Sequence, residues 1–159
     1  MVGSQVYGLA TPESDCDYLA VAAVETIDLV GLSRPPESWV SKDPDSTVHE
    51  AGKFCRLALS ANPTILELLW LPEDAYTFKN VLGAELIAIR RTFLSRKRVR
   101  DAYLGYAIQQ FKPIENRGDS FSSDTKKRTA KHARHLLRLL DQGLVLYQSG
   151  ELPIRVPGQ

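Results

Sequence analysis

Cysteine is scarce in this chain, with two in 159 residues. Cys16 and Cys55 lie far apart, form no C-x-x-C unit and build no disulfide framework, so the sequence suits a reducing cytoplasm and disfavours a zinc site. Long apolar runs are also missing. None approaches the roughly 18 residues that span a bilayer, and the N-terminus has no basic-then-apolar secretory pattern, so membrane insertion and export are not expected. H-E-x-x-H spacing is absent, which leaves His49, His132 and His135 without a zinc pattern. With no internal repeat and no low-complexity tract, one compact domain fits the length.

Net charge is nearly absent too, at +1, but that figure hides a division. Residues 1–85 hold 5 Lys and Arg against 13 Asp and Glu, giving −8, and residues 86–159 hold 15 against 6, giving +9. An acidic part suits a divalent cation, and a basic part suits polyphosphate or a nucleic-acid backbone. The sequence therefore divides into a candidate catalytic core over 1–85 and a basic helical part over 86–159 that packs on it.

Along the chain, the glycines of G-S-Q-V-Y-G and the segment T-P-E-S read as a turn, a short helix and a loop. D-C-D-Y-L-A-V-A-A-V then reads as a strand, whose period of two puts Asp15 and Asp17 on one side and Cys16 on the other. Residues 31–46, rich in Pro, Ser and charge, read as a long surface loop before a short strand Thr47-Val48-His49-Glu50. Helices are expected from Gly52 and from Pro63, the second N-capped by Asn62 with proline at its first position. That second helix is apolar on most sides, so Glu67 within it needs a partner, Arg56 or a cation of the C-terminal part. Residues 81–111 read as helical with a break near Leu94-Ser95, and Tyr103 and Tyr106 are expected in the core. A helix from about Thr125 to Ser149 carries Ala133, Leu137, Leu140, Leu144 and Tyr147 on one face and stops at Gly150.

Two aspartates one residue apart on a strand provide what phosphoryl-group chemistry on a nucleoside triphosphate requires. Mg²⁺ is commonly held by one or two carboxylates plus substrate phosphates. Where two cations act, a third carboxylate usually helps to hold the first. Glycine at Gly3 gives the backbone room beside a triphosphate, and Ser4 brings a hydroxyl donor. Asp43, Asp45 and Glu50 are the candidates for the third carboxylate. Glu50 ranks first because it alone follows apolar, strand-like residues.

The string G-S-x-x-x-G, then T-P-E-S-D-x-D and an apolar strand, resembles the signature of the DNA polymerase beta nucleotidyltransferase superfamily. V-H-E-A-G-K-F-C-R-L-A-L-S-A-N-P-T-I-L-E-L-L-W, S-R-K-R-V-R-D-A-Y-L-G-Y-A, K-H-A-R-H-L-L-R-L-L and G-E-L-P-I-R-V-P are similar to later segments of one branch, the nucleotidyltransferases associated with RNA ligases and RNA repair. The likeness covers nearly the whole chain. It implies an α/β (α+β) fold with a minimal polymerase-beta-like core, a small mixed sheet and a C-terminal helical part. It further implies Gly3 and Ser4 at the triphosphate, Asp15 and Asp17 as Mg²⁺ or Mn²⁺ ligands, and Glu50 where the third carboxylate falls. Lys131, His135 and Arg138, spaced i, i+4 and i+7, are candidates for nucleotide or RNA-backbone contact, the alternative being a solvated helix face.

The expected activity is transfer of a nucleoside monophosphate from an NTP to a hydroxyl, with an RNA end the favoured acceptor. A protein side chain is the alternative acceptor, and an inactive RNA- or partner-binding module is the non-enzymatic one. Oligomeric state is not fixed by the sequence.

Overall fold

Three short strands hold the acidic part together. In the computed structural model, residues 2–8, 16–115 and 123–155 are described, with the backbone alone for residues 4, 5, 110, 112–115, 123–129, 131 and 132. Strand β1 is Tyr18–Ala22, β2 is Ser38–Lys42 and β3 is Asp45–Glu50, in the spatial order β1-β3-β2. β3 is central and runs parallel to β1, with Tyr18 opposite Ser46 and Ala22 opposite Glu50. It runs antiparallel to β2, with Ser38 opposite His49 and Lys42 opposite Asp45. The sheet is therefore small and mixed, as expected.

One strand lies where a loop is expected. β2 falls inside residues 31–46 and joins β3 through a turn at Asp43-Pro44. The reason is its position. As an edge strand with Trp39, Val40, Ser41 and Lys42 exposed, it needs no apolar alternation, so the flanking prolines dominate its sequence signal.

Before the sheet, Ser4–Tyr7 forms a single turn of helix, α1, and Thr26–Val30 forms α2 between β1 and β2. Helix α3, Ala51–Leu59, buries Phe54 and Ala58 on one face. Helix α4, Pro63–Leu69, starts as its sequence dictates. Pro63 occupies the first turn, where no N–H is needed, and Asn62 Oδ1 accepts from the Ile65 N–H at 3.3 Å. Ile65, Leu66, Glu67 and Leu69 are all buried.

The basic part is a helical layer on this core. After α5, Val81–Ala88, and a 3₁₀ turn at Arg90–Phe93, the long helices α6, Arg96–Glu115, and α7, Ser123–Ser149, pack on each other. Gly150, at φ +72°, donates its N–H to Leu146 O and ends α7. Asn62 Nδ2 donates to Tyr106 Oη at 2.9 Å, tying the start of α4 to α6. Val99, Leu139, Phe54, Leu66 and Leu69 are almost wholly inaccessible, so both parts of the chain share one core. Tyr103 lies in that core as expected, and Tyr106 packs at its margin.

The regular apolar row of α7 is its outer one. Leu137, Leu140, Leu144 and Tyr147 face solvent, while Leu139, Gln142 and Leu146 are buried. The helix carries a second apolar row one position away. The row containing Gly143 wins because a Cβ there would stand 2.8 Å from the Tyr103 ring, so only glycine admits the ring so close.

That contact predicts opposite outcomes for two helical glycines. Gly143→Ala overpacks the α6–α7 contact and lowers stability by about 1–3 kcal/mol. Gly105→Ala, with nothing within 4 Å of its new methyl, raises stability by about 0.5–1 kcal/mol. Thermal or urea unfolding of both variants beside the parent measures the difference.

Candidate active site

Gly3 and Asp17 are brought into contact by the backbone. The Val2 N–H donates to Asp17 O at 2.8 Å in an antiparallel bridge, which lays the Gly-Ser turn against the start of β1. Gly3 has φ +81°, and a Cβ on it would stand 2.6 Å from Asp17 Oδ2. Glycine is required twice here, by conformation and by the carboxylate pressed against it. The turn then rolls into α1, where the Val6 and Tyr7 N–H groups both reach back to Gly3 O. Asp15, the other half of the D-x-D pair, lies outside the described residues, as does the side chain of Ser4.

The sheet register sorts the third-carboxylate candidates. Glu50 is level with Ala22, five residues along β1 from Asp17, which is about 16 Å at strand rise. Its carboxylate also has another partner. Oε1 accepts from Gly52 N at 2.7 Å and Oε2 from Lys53 N at 3.0 Å, so Glu50 caps helix α3. Those backbone donors hold its carboxyl below the usual carboxylate range. Glu50 is thus a helix cap and does not lie beside Asp17.

Continuing the β1–β3 register by one residue brings Asp17 level with Asp45 instead, and Lys42 is the cross-strand partner of Asp45 on the other side. Lys42, Asp45 and Asp17 therefore form one row across the end of the sheet. Sequence reasoning ranked Asp45 lower because it assigned that residue to a loop. The signal available was Thr47–Glu50, a strand that in fact starts at Asp45.

A cation needs several oxygen ligands. Among the described residues no group of three His, Cys, Asp or Glu side chains gathers to supply them. Asp17 and Asp45, level with each other in that register, are two carboxylates at one end of the sheet. The serine, histidine and lysine nearest Glu50 form a separate polar cluster. Ser38 Oγ lies 2.7 Å from His49 Nδ1 and accepts from Lys53 Nζ at 2.7 Å, and burial together with the Lys53 charge pushes the His49 pKa down.

The expected basic stripe on α7 is used differently. Arg138 is buried against Glu67, to which its Nη1 donates, and it also donates to Gln142 Oε1 at 3.1 Å. Its Nη2 lies 3.2 Å from His135 Nδ1, which accepts because a guanidinium only donates. The guanidinium stacks 3.8 Å from the Tyr7 ring centroid, and Tyr7 Oη donates to the second Glu67 oxygen. Arg138 and His135 thus belong to a buried network, because Glu67, set in an apolar helix, requires a cation. The side chain of Lys131 lies outside the described residues. Burial and the Glu67 charge push the Tyr7 hydroxyl well above the usual tyrosine pKa. Tyr103 Oη is buried nearby without a hydrogen-bond partner among the described residues.

Four exposed cations, Arg96, Lys97, Arg98 and Arg100, lie together on the first turns of α6. An apolar cleft of about 240 Å³ runs between β1 and the stretch bearing Tyr76, Phe78 and Ile87, with no carboxylate lining it.

The capping role of Glu50 has a pH signature. Its folded-state pKa is lowered, so its contribution is present above the unfolded pKa and is lost as pH falls through the folded one. Glu50→Ala lowers stability near neutral pH by about 1 kcal/mol, the usual worth of a cap. The gap to the parent narrows in acid. Urea unfolding of both proteins from pH 7 down to pH 3 measures it, and a gap independent of pH contradicts the assignment.

The architecture agrees with the wider comparison. No curated protein and no solved structure matches the chain. A family model does, over residues 1–158, and the chain accordingly belongs to the RNA repair pathway DNA polymerase beta family.

Proposed function

We propose that the chain is a metal-dependent nucleotidyltransferase that moves a nucleoside monophosphate from an NTP to a hydroxyl of RNA. The observation that carries the reading is the contact of Gly3 with the Asp17 carboxylate at the start of β1. It sets the backbone turn directly against an acid that a cation would share with the triphosphate.

In this reading Asp15, Asp17 and Asp45 hold Mg²⁺ or Mn²⁺, which when bound neutralises triphosphate oxygens and favours the ionised form of the attacking hydroxyl. The Gly3 turn orients the triphosphate. Lys42, beside Asp45, adds positive charge at the same end of the sheet. The acceptor oxygen attacks the α-phosphorus, the bond to the pyrophosphate oxygen breaks, and the hydroxyl proton leaves to solvent or to a carboxylate of the row. Positioning and charge neutralisation supply most of the rate in such a transfer. Arg96, Lys97, Arg98 and Arg100 provide an exposed basic face suited to an RNA backbone, and family membership favours RNA over a protein acceptor.

The test is incubation of the protein with labelled NTPs, Mg²⁺ or Mn²⁺, and either RNA or cell protein. Label is expected on RNA, and label found only on protein overturns the acceptor. Asp17→Asn and Asp45→Asn each lower turnover at least about 100-fold, more than the loss of an outer partner to a metal ligand. Equal turnover in parent and Asp17→Asn removes the assignment. Gly3→Ala, which drives a methyl into the carboxylate, lowers turnover comparably while leaving the unfolding midpoint within a few degrees.

A further inference from the structure

The outer face of the α6–α7 pair is apolar and uncovered among the described residues. On α6, Leu104, Ile108 and Phe111 recur at steps of four and three. On α7, Leu137, Leu140, Leu144 and Tyr147 recur at three, four and three. Each of these seven side chains keeps between 40% and 66% of its surface in solvent. Val99, Tyr103 and Ala107 point the other way on α6, and Leu139, Gln142 and Leu146 on α7, all into the core. Gly143 against Tyr103 marks the level at which the two helices meet. At 100° per residue, both exposed rows fall on the side of the helix pair away from the core and so form one patch.

Its size and spacing both point to a partner. Seven half-exposed side chains of this size present on the order of 600 Å² of apolar surface. That is at the top of the range for a monomer's largest patch and near the roughly 800 Å² that each side gives a standard interface. The α7 row also extends back through Ala133 and Ala130, so its spacing is three, four, three, four, three over five turns. A strict alternation of three and four is the seam of a coiled coil, narrower than the stripe that packs a helix on a globular core. Such a seam takes another helix with the same spacing. The cation set against it, the Arg96 guanidinium over the Tyr147 ring, lies at its end.

We propose that two copies of the chain associate through this face, α7 crossing its counterpart antiparallel about a two-fold axis between Leu137 and Leu140. Self-complementarity follows from the seam, which is the same surface on both copies. The flanking charges select the direction. Arg134 and Asp141 are both exposed, one heptad apart along the edge of the row. Antiparallel crossing sets Arg134 of one copy opposite Asp141 of the other, twice, whereas parallel crossing sets neither beside an opposite charge. The proposal is independent of the catalytic reading, since the row at the end of the sheet takes no part in it.

Sedimentation velocity of the full chain across the micromolar range tests it. The parent is expected at twice the mass of one chain. Leu140→Glu, exposed in the single copy and central in the pair, raises the dissociation constant at least about 100-fold and gives a monomer with unchanged helix content. Arg134→Glu weakens association, and Arg134→Glu with Asp141→Arg restores it. A monomeric parent overturns the proposal, as does a dimer that survives Leu140→Glu. Failure of the double charge exchange to restore a dimer lost in the single one overturns the antiparallel arrangement.

Discussion

The buried ion pair of Glu67 and Arg138 is the constraint on which the arrangement of this molecule depends. Glu67 sits in α4, a helix whose other inward residues are Ile65, Leu66 and Leu69, and an isolated carboxylate there would cost several kcal/mol. Every donor it receives comes from a distant segment. Arg138 reaches it from α7 and Tyr7 from α1, and Gln142, which accepts from Arg138, donates its amide to Pro153 O in the C-terminal segment. One charge therefore fixes four pieces of chain. The pair adds less to net stability than its short contacts suggest, because both ions lose their water. Its effect is to exclude arrangements in which either is left alone.

α1 shows what this does for the site. A four-residue helix has no stability of its own, since its nucleation is not repaid over so short a length. It is held by the bridge from Val2 to Asp17, by the burial of Val6, and by Tyr7, whose ring carries the Arg138 guanidinium and whose hydroxyl reaches Glu67. The turn at Gly3 lies between the first and last of these anchors. The acidic row at the end of the sheet and the basic helical layer are thus mechanically joined, although their charges are separated along the sequence.

How far this was legible in the sequence varies from residue to residue. Local chemistry was readable: Asn62 and Pro63 announce α4, Gly150 stops α7, and the Gly-Ser turn comes against the aspartate of the D-x-D strand at Asp17. Glu67 could be recognised as needing a cation, but not which one, because Arg138 lies 71 residues away and only the fold selects it from fifteen basic residues in its half. Glu50 was misread for a related reason. A carboxylate that ends a strand and begins a helix has the same sequence signature whether it binds a cation or caps the helix, and the strand register alone separates the two. β2 was missed because an exposed edge strand carries no apolar alternation.

α7 presents the hardest case and the most instructive one. Its sequence holds two apolar rows, and period analysis finds the more regular, which is the outer one. A core-facing row is under no demand for regularity. It must fit particular neighbours, so it includes Gln142 for Pro153, Gly143 for the Tyr103 ring and Arg138 for Glu67, each of which weakens the apolar signal. A row kept clean of polar side chains over five turns meets one repeated requirement. Solvent makes no such requirement, since exposed positions drift towards charge. The regularity of this row is therefore itself the argument that the outer face of α7 meets another helix.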